Sequence, residues 1–343
     1  MPNTVCIMPW IAIDRNQNNL TSKVALTPCC IYETQEQHHD INSYWNSKEI
    51  VKVREEMLSG KKPKGCRKCW QAEKNGILSY RQILNKERLD LFKNRLQDVR
   101  LDAQPIQVKF TVGNQCNLAC RMCLPNLSSG VKKVWDILGI EYQFEKDTVD
   151  YTKYILENRK NIQYIDIIGG EPLLSDQLIE KIKGLNIKIR LWSNGTLKKE
   201  TVEALYPYIN EWMIYLPVKH KQIYRTMTGY NCYTNVLDTV TRLREANQNV
   251  TINMPLFAET LTYLPDMHTY TKTNNMKLMI HYNPKDFLKR ESIDYIKRYY
   301  SIKRVYVFKQ KFRPSKQCAN IPLDSFSSKW PWIKNWITEK TAK

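Results

Sequence analysis

Residues 113–123 read GNQCNLACRMC, so Cys116, Cys120 and Cys123 stand within eight residues, with no histidine close in sequence. Thiolates in such clusters hold zinc or iron–sulfur centres. Zinc normally takes two C-x-x-C knuckles, or one knuckle with paired histidines. C-x-x-x-C-x-x-C offers three ligands only. A cubane cluster held by three cysteines keeps one iron open, and an open metal position is what catalysis uses.

Strands must carry such a loop to the ligand face of a sheet. From Gln107 onward, strand-like runs QVKFTV, YIDIIG, IKIRLWS, WMIYLPV, VTINMPLF and KLMIHY alternate with helical segments such as VKKVWDILG and NVLDTVTRLREAN. Ser175 and Asp176 before QLIEKI, and Asn235 before VLDTVTRL, fit helix N-caps. Six strands alternating with helices predict an α/β fold, a parallel sheet or barrel with right-handed crossovers. Ligands then bind at the carboxyl ends of the strands, where QVKFTV delivers the cysteine loop. The second run ends in IIGGEPLL: Gly169 and Gly170 let backbone approach a ligand and Glu171 supplies an acceptor. An ordinary strand-to-helix turn reads the same way. The third run ends in LWSNGT, where Asn-Gly is also a common turn dipeptide.

CNLACRMC resembles the cluster loop of the radical S-adenosylmethionine (radical SAM) enzymes. The resemblance implies that Cys116, Cys120 and Cys123 hold a catalytic 4Fe-4S cluster whose open iron is chelated by S-adenosylmethionine. It also implies reductive cleavage of that cofactor to a 5′-deoxyadenosyl radical, which abstracts a hydrogen atom from a substrate. GGEP is similar to the family's second-strand motif, implying that Gly169, Gly170 and Glu171 receive the cofactor's ammonium, with Pro172 completing the motif. LWSNGT resembles the third-strand turn near the cofactor's ribose, which brings in Ser193 and Asn194. YRTMTGYNCYTNVLDTV resembles the segment after the fourth strand in the peptide-modifying branch, and Arg225 matches its carboxylate-binding arginine. The chain departs from that branch just upstream, with YLPVKH in place of a Ser-x-Asp-Gly turn.

A second group comprises Cys6 in CIMPWIAID, Cys29 and Cys30 in LTPCC, and Cys66 and Cys69 in KGCRKCW. It resembles the SPASM or twitch module that carries an auxiliary 4Fe-4S cluster in many radical SAM enzymes, here preceding the barrel instead of following it. The resemblance implies Cys6, Cys29, Cys66 and Cys69 as ligands, with Cys30 as the spare of the pair or its replacement. A four-cysteine zinc site is the alternative, since zinc shares these spacings. Lys61, Lys62, Lys64, Arg67 and Lys68 crowd Cys66 and Cys69, and positive charge there would stabilise a reduced cluster. A fully ligated cluster suits electron transfer from a substrate radical.

The expected organisation is an auxiliary-cluster module (1–77), a connecting helix (78–104), a partial (β/α)6 radical SAM barrel (105–282) and a basic extension (283–343). Composition is that of a globular protein, 42% apolar and 25% charged. No apolar run reaches the roughly 18 residues that span a membrane, and no secretory signal opens the chain. A cytoplasmic location is expected, where ten cysteines predict metal ligands over disulfides. Net charge is +19, and residues 283–343 carry 15 Lys and Arg against 5 Asp and Glu. That excess attracts nucleic acid, nucleotides or acidic peptides.

The expected substrate is a peptide or protein side chain, undergoing oxidation, crosslinking or epimerisation, with electrons from a reductant such as flavodoxin or ferredoxin. A nucleotide or nucleic-acid base is the runner-up. A zinc-stabilised nucleic-acid-binding protein with an inactive barrel is the reading from another class; it leaves GNQCNLACRMC and GGEP to coincidence. Cys232, Cys318, His38 and His39 are given no chemistry, and His220 and His281 line a cavity or serve structure.

Overall fold

Ile165 and Ile167 bracket Asp166, Ile189 and Leu191 bracket Arg190, and Trp212 and Ile214 bracket Met213. A period of two puts the apolar set on one face of a sheet and the polar set on the other. The computed structural model describes residues 1–16, 25–34, 36, 38, 40–74, 76, 78–139, 151–175, 178–282 and 304–307. In chain order the strands are β1 (Ala12–Asn16), β2 (Ala25–Thr27), β3 (Gln107–Thr111), β4 (Tyr164–Ile168), β5 (Lys188–Ser193), β6 (Glu211–Tyr215), β7 (Val250–Leu256), β8 (Lys277–Tyr282) and β9 (Arg304–Val307). They form one sheet, ordered β2-β1-β3-β4-β5-β6-β7-β8-β9. Only β1 and β2 pair antiparallel; all other neighbours are parallel. The six expected runs are β3 to β8, side by side in chain order, and the architecture is that of an α/β partial barrel.

Two features lie outside the expectation. First, β1 joins the sheet: Ala12 and Ile13 pair with Gln107 and Val108, so the cysteine-rich N-terminal stretch contributes a strand beside β3. Second, the helix Tyr233–Glu245 starts before Asn235, which therefore lies in its first turn and is not its cap. Cys232 is the N-cap residue and makes no side-chain bond there. Tyr233 packs its ring 5.8 Å from that of Tyr224, which favours the earlier start. Ser175 accepts from Leu178 through its carbonyl; Asp176, His39 and Cys318 lie outside the described residues.

Helices cover the apolar face. Ile165, Ile167, Leu191, Trp212, Ile214 and Ile252 share one core with Val202, Leu205, Val236, Val240 and Leu243 from the helical segments. Each such side chain contributes on the order of 1.5–3 kcal/mol by leaving water. The N-terminal stretch joins the same core through Ile7, Trp10, Ile11 and Ile13. There the fully buried Arg54 donates to the carbonyls of Pro9, Trp45 and Val99 at 2.9, 3.0 and 2.8 Å. Among the described residues no helix is long and apolar enough to cross a membrane.

The opposite face is polar, and its charges alternate. Lys109, Asp166, Arg190 and Glu211 are successive Cα partners across β3 to β6. Lys109 reaches Asp14 of β1 at 3.3 Å. Arg190 reaches Asp166 at 3.5 Å and Glu211 at 2.7 Å. Glu211 also accepts from Thr251 at 3.0 Å and pairs with Lys277 at 3.4 Å. The helix Tyr80–Phe92, capped by a reciprocal Ser79–Gln82 box, contacts this face. Its Arg88 donates to Gln107 and stacks 4.4 Å from the Tyr164 ring, while Tyr80 packs with Trp192 against the pair Met213 and Met279.

Removing one cation from a buried, alternating row leaves carboxylates uncompensated, at a cost of about 3–5 kcal/mol. Arg190→Met should therefore lower unfolding free energy by that amount in urea titrations. An unchanged midpoint would mean that the row contributes nothing to stability.

Candidate active site

The loop after β3 has no regular structure of its own, so its peptide groups must bond elsewhere. Three neighbours receive them. On one side the turn after β4 runs alongside the loop's start in the same direction as the parallel strands: Gly170 donates to Gly113 at 2.9 Å and Glu171 donates to Gln115 at 2.7 Å. On a second side lies the start of the helix Ser129–Ile137. The Ser129 hydroxyl accepts from the Cys116 N–H at 2.9 Å, and that of Ser128 donates to Leu118 at 3.0 Å. On the third side the end of the helix Lys221–Thr228 accepts from Ala119 and Arg121, at 3.0 and 2.9 Å, through the carbonyls of Thr228 and Met227.

The glycines of GGEP are explained by this packing. A Cβ on Gly170 would lie 2.3 Å from the Gln115 carbonyl oxygen, and one on Gly169 would lie 2.8 Å from that of Gly113. Gly130 is equally constrained, with a Cβ position 2.2 Å from the Leu118 oxygen. The close approach is therefore to the cysteine loop itself.

Glu171 is 2% exposed and fully engaged. It accepts from Leu173 at 3.2 Å, from the Ser193 hydroxyl at 3.0 Å and from the Asn194 N–H at 2.6 Å. Burial pushes its carboxyl up to about 7, against the pull of those three bonds. Asn194 in turn donates to Asn117, beside Cys116, at 2.8 Å. Asn117 donates to Thr196 at 2.7 Å, closing a ring with Asn194. Glu171, Ser193 and Asn194 thus form one unit that ties the turns after β4 and β5 to the cysteine loop. A cavity of about 340 Å³ beside it is lined by Gly113, Asn114, Gln115, Glu171, Pro172 and Ser175.

Arg225 is not part of this unit. Its side chain is exposed, on the helix whose last turn braces the loop. His220 caps that helix, its Nδ1 accepting from Ile223 at 3.4 Å, and its ring lies 5.6 Å from that of Tyr263. The sequence reading missed Asn117, Ser128, Ser129, Gly130 and Thr196. The available signal was a Ser-Ser-Gly immediately before an amphipathic helix.

All eight cysteines of the two groups are free thiols. Burial pushes Cys123 up to about 12 and Cys120 well above its ordinary range, each with Cys116 as a charged neighbour. Burial likewise pushes Cys6 to about 11 and Cys69 to about 12. Cys29 is surrounded by Cys30, Cys69, Cys6 and Cys66, whereas the charged neighbours of Cys30 are Lys109, Asp14, Asp166 and Lys68. Cys30 thus adjoins the polar row of the sheet. Among the described residues no three cysteine sulfurs lie mutually within 4.8 Å. One tetrahedral zinc would bring them to about 3.8 Å.

Residues 110–271 match the Radical SAM superfamily model, a span that contains the cysteine loop, GGEP and SNGT. That stretch is a radical SAM domain. A GTP 3′,8-cyclase of Sulfurimonas denitrificans is 24% identical over 194 residues, covering 54% of this chain and 58% of that protein. An uncharacterised protein of Methanocaldococcus jannaschii is 32% identical over 99 residues, covering 26% and 31%. Among solved structures, Streptococcus suis SuiB bound to S-adenosylmethionine aligns with a TM-score of 0.45 at 15% identity, over 78% of this chain and 62% of SuiB. The chain thus spans less than two thirds of the cyclase and of SuiB.

The cysteine loop depends on the bare backbone at position 170. Gly170→Ala should displace residues 114–115, lower the melting temperature and reduce iron bound per chain after anaerobic reconstitution. Wild-type iron content in a folded Gly170→Ala protein would show that the contact is dispensable.

Proposed function

We propose that this chain is a radical SAM enzyme in which Cys116, Cys120 and Cys123 hold the catalytic 4Fe-4S cluster and Cys6, Cys29, Cys66 and Cys69 hold an auxiliary one. The reading is carried by the three-thiol loop at the carboxyl end of β3, half-buried and clamped by the GGEP and SNGT turns. Burial disfavours bare thiolates there, so a cationic metal centre fits the site. Bound with S-adenosylmethionine, such a cluster supplies reductive cleavage of the cofactor and a radical that removes a hydrogen atom from substrate. Gly169, Gly170 and Glu171 would orient the cofactor beside the loop, with Ser193 and Asn194 along its ribose. Glu171 would do so while still bonded to Leu173, Ser193 and Asn194. Arg225 would have to reach the cofactor from an exposed position. The spare thiol of Cys30 beside Cys29 and the neighbouring three-cysteine loop support a cluster over zinc in the N-terminal group.

For the substrate, the resemblance of residues 1–77 to SPASM and twitch modules favours a peptide or protein side chain, with flavodoxin or ferredoxin as the reductant. Similarity to a GTP 3′,8-cyclase and the net charge of +19 favour a nucleotide as the second reading.

An anaerobic preparation should hold about eight irons per chain and release 5′-deoxyadenosine on reduction. Changing Cys116, Cys120 and Cys123 together to Ala should leave about four irons and abolish 5′-deoxyadenosine. Zinc in place of iron would sink the reading; retained cofactor cleavage in the variant would move the catalytic cluster elsewhere. Binding to GTP, RNA and peptides across a salt series separates the substrate classes, because a phosphate-bearing ligand weakens steeply with salt.

A further inference from the structure

The sequence places five exposed-looking cations around Cys66 and Cys69, but the structure turns them elsewhere. Arg67 and Lys68 both pair with Glu33, Lys62 lies 5.6 Å from the Trp70 ring, and Lys61 and Lys64 are exposed. The buried cation that meets the Cys6 segment and the ring next to Cys69 comes instead from the helix Tyr80–Phe92. Arg81 is 4% exposed. Its Nη1 donates to the carbonyls of Asn3 and Val5 at 2.8 and 2.9 Å. Its Nε and Nη2 grip the two oxygens of Glu73 at 3.0 and 2.9 Å. The guanidinium also lies 4.7 Å from the ring of Trp70, the neighbour of Cys69. One turn along, Asn85 donates to the Val5 carbonyl at 2.7 Å and accepts from the Ile7 N–H at 2.9 Å. The two peptides flanking Cys6 are therefore held from this helix.

We propose that Arg81, opposed by Glu73, sets the electron affinity of the four-cysteine centre, with Asn85 fixing the Cys6 ligand in place. The inference rests on the reading that Cys6, Cys29, Cys66 and Cys69 hold an iron–sulfur cluster. A cluster gains negative charge on reduction, so a fixed cation next to it favours the reduced form. That effect is larger in a buried, low-dielectric position than for lysines screened by water. Arg81 bonds to the Val5 carbonyl that leads into Cys6 and lies against Trp70, next to Cys69, while Glu73, on the helix that carries Cys69, places a carboxylate against it. The two side chains are thus opposed levers on one centre. Arg81 is a positioning and tuning residue, since it reaches the cluster only through field and ligand backbone.

The test is a redox titration of the reconstituted full-length protein followed by electron paramagnetic resonance. In Arg81→Gln the midpoint of the four-cysteine centre should become more negative. Its reduced-to-oxidised ratio at fixed potential should fall about tenfold, which is about 59 mV for one electron. Glu73→Gln should move the same midpoint the other way, and Arg81→Lys, which keeps the charge, should stay near wild type. The midpoint of the open cluster should hold in all three. A loosened fold would not move two variants in opposite directions. Equal shifts in Arg81→Lys and Arg81→Gln, shifts of one sign in Arg81→Gln and Glu73→Gln, or no shift in either would overturn the inference. Zinc without iron in a protein lacking Cys116, Cys120 and Cys123 would instead overturn the cluster reading beneath it.

Discussion

Irregular backbone can be half buried only if every peptide group finds a partner, and the loop 113–130 meets that constraint by borrowing from three directions. The turn after β4 takes residues 113–115, the start of the helix Ser129–Ile137 takes Cys116 and Leu118, and the end of the helix Lys221–Thr228 takes Ala119 and Arg121. The glycines at 130, 169 and 170 follow from the constraint, because backbone bonds this close exclude a Cβ. So does the position of Glu171, whose carboxylate joins the turns after β4 and β5 that must stay in register with the loop. Three thiols are then presented from a scaffold with little freedom to move.

Much of this was legible in the sequence because it rests on local pattern. Strand-like runs alternating with helical segments gave β3 to β8, and short motifs at the strand ends marked the turns that meet the loop. What was not legible depends on distant contacts. Nothing local in AIDRN says that β1 will pair with β3 rather than stay within its own module. The Asn235 cap failed because aromatic packing between Tyr224 and Tyr233 started the helix earlier. Charge near the N-terminal cysteines was read from neighbours in sequence, whereas the cation that reaches them is Arg81, on a separate helix. Arg225 shows the converse: a motif match fixed its place in the chain, and the structure leaves its side chain in solvent.

Polarity inside the sheet follows a different logic from the net charge. Three anions, Asp14, Asp166 and Glu211, alternate with three cations, Lys109, Arg190 and Lys277, and each is paired within the row. The row is compensated, so the excess positive charge of the chain does not reside there. An internally paired row holds neighbouring strands in register, since a slip of one residue would turn every charge into the apolar face. It contributes specificity of arrangement as much as stability, in keeping with the high cost of leaving any one member alone.

The same row joins the two cysteine groups. Asp14 belongs to β1, close behind Cys6 in sequence, and pairs with Lys109 of β3, the strand that leads into the cysteine loop. Cys30, next to Cys29, has Lys109, Asp14 and Asp166 as its charged neighbours. The helix Tyr80–Phe92 makes a second connection, holding Cys6 through Asn85 and Arg81 at one end and Gln107 through Arg88 at the other. With one continuous sheet, one core and this helix between them, the two thiol groups share a single framework. Among the described residues, β1, β3 and this helix each connect one group to the other.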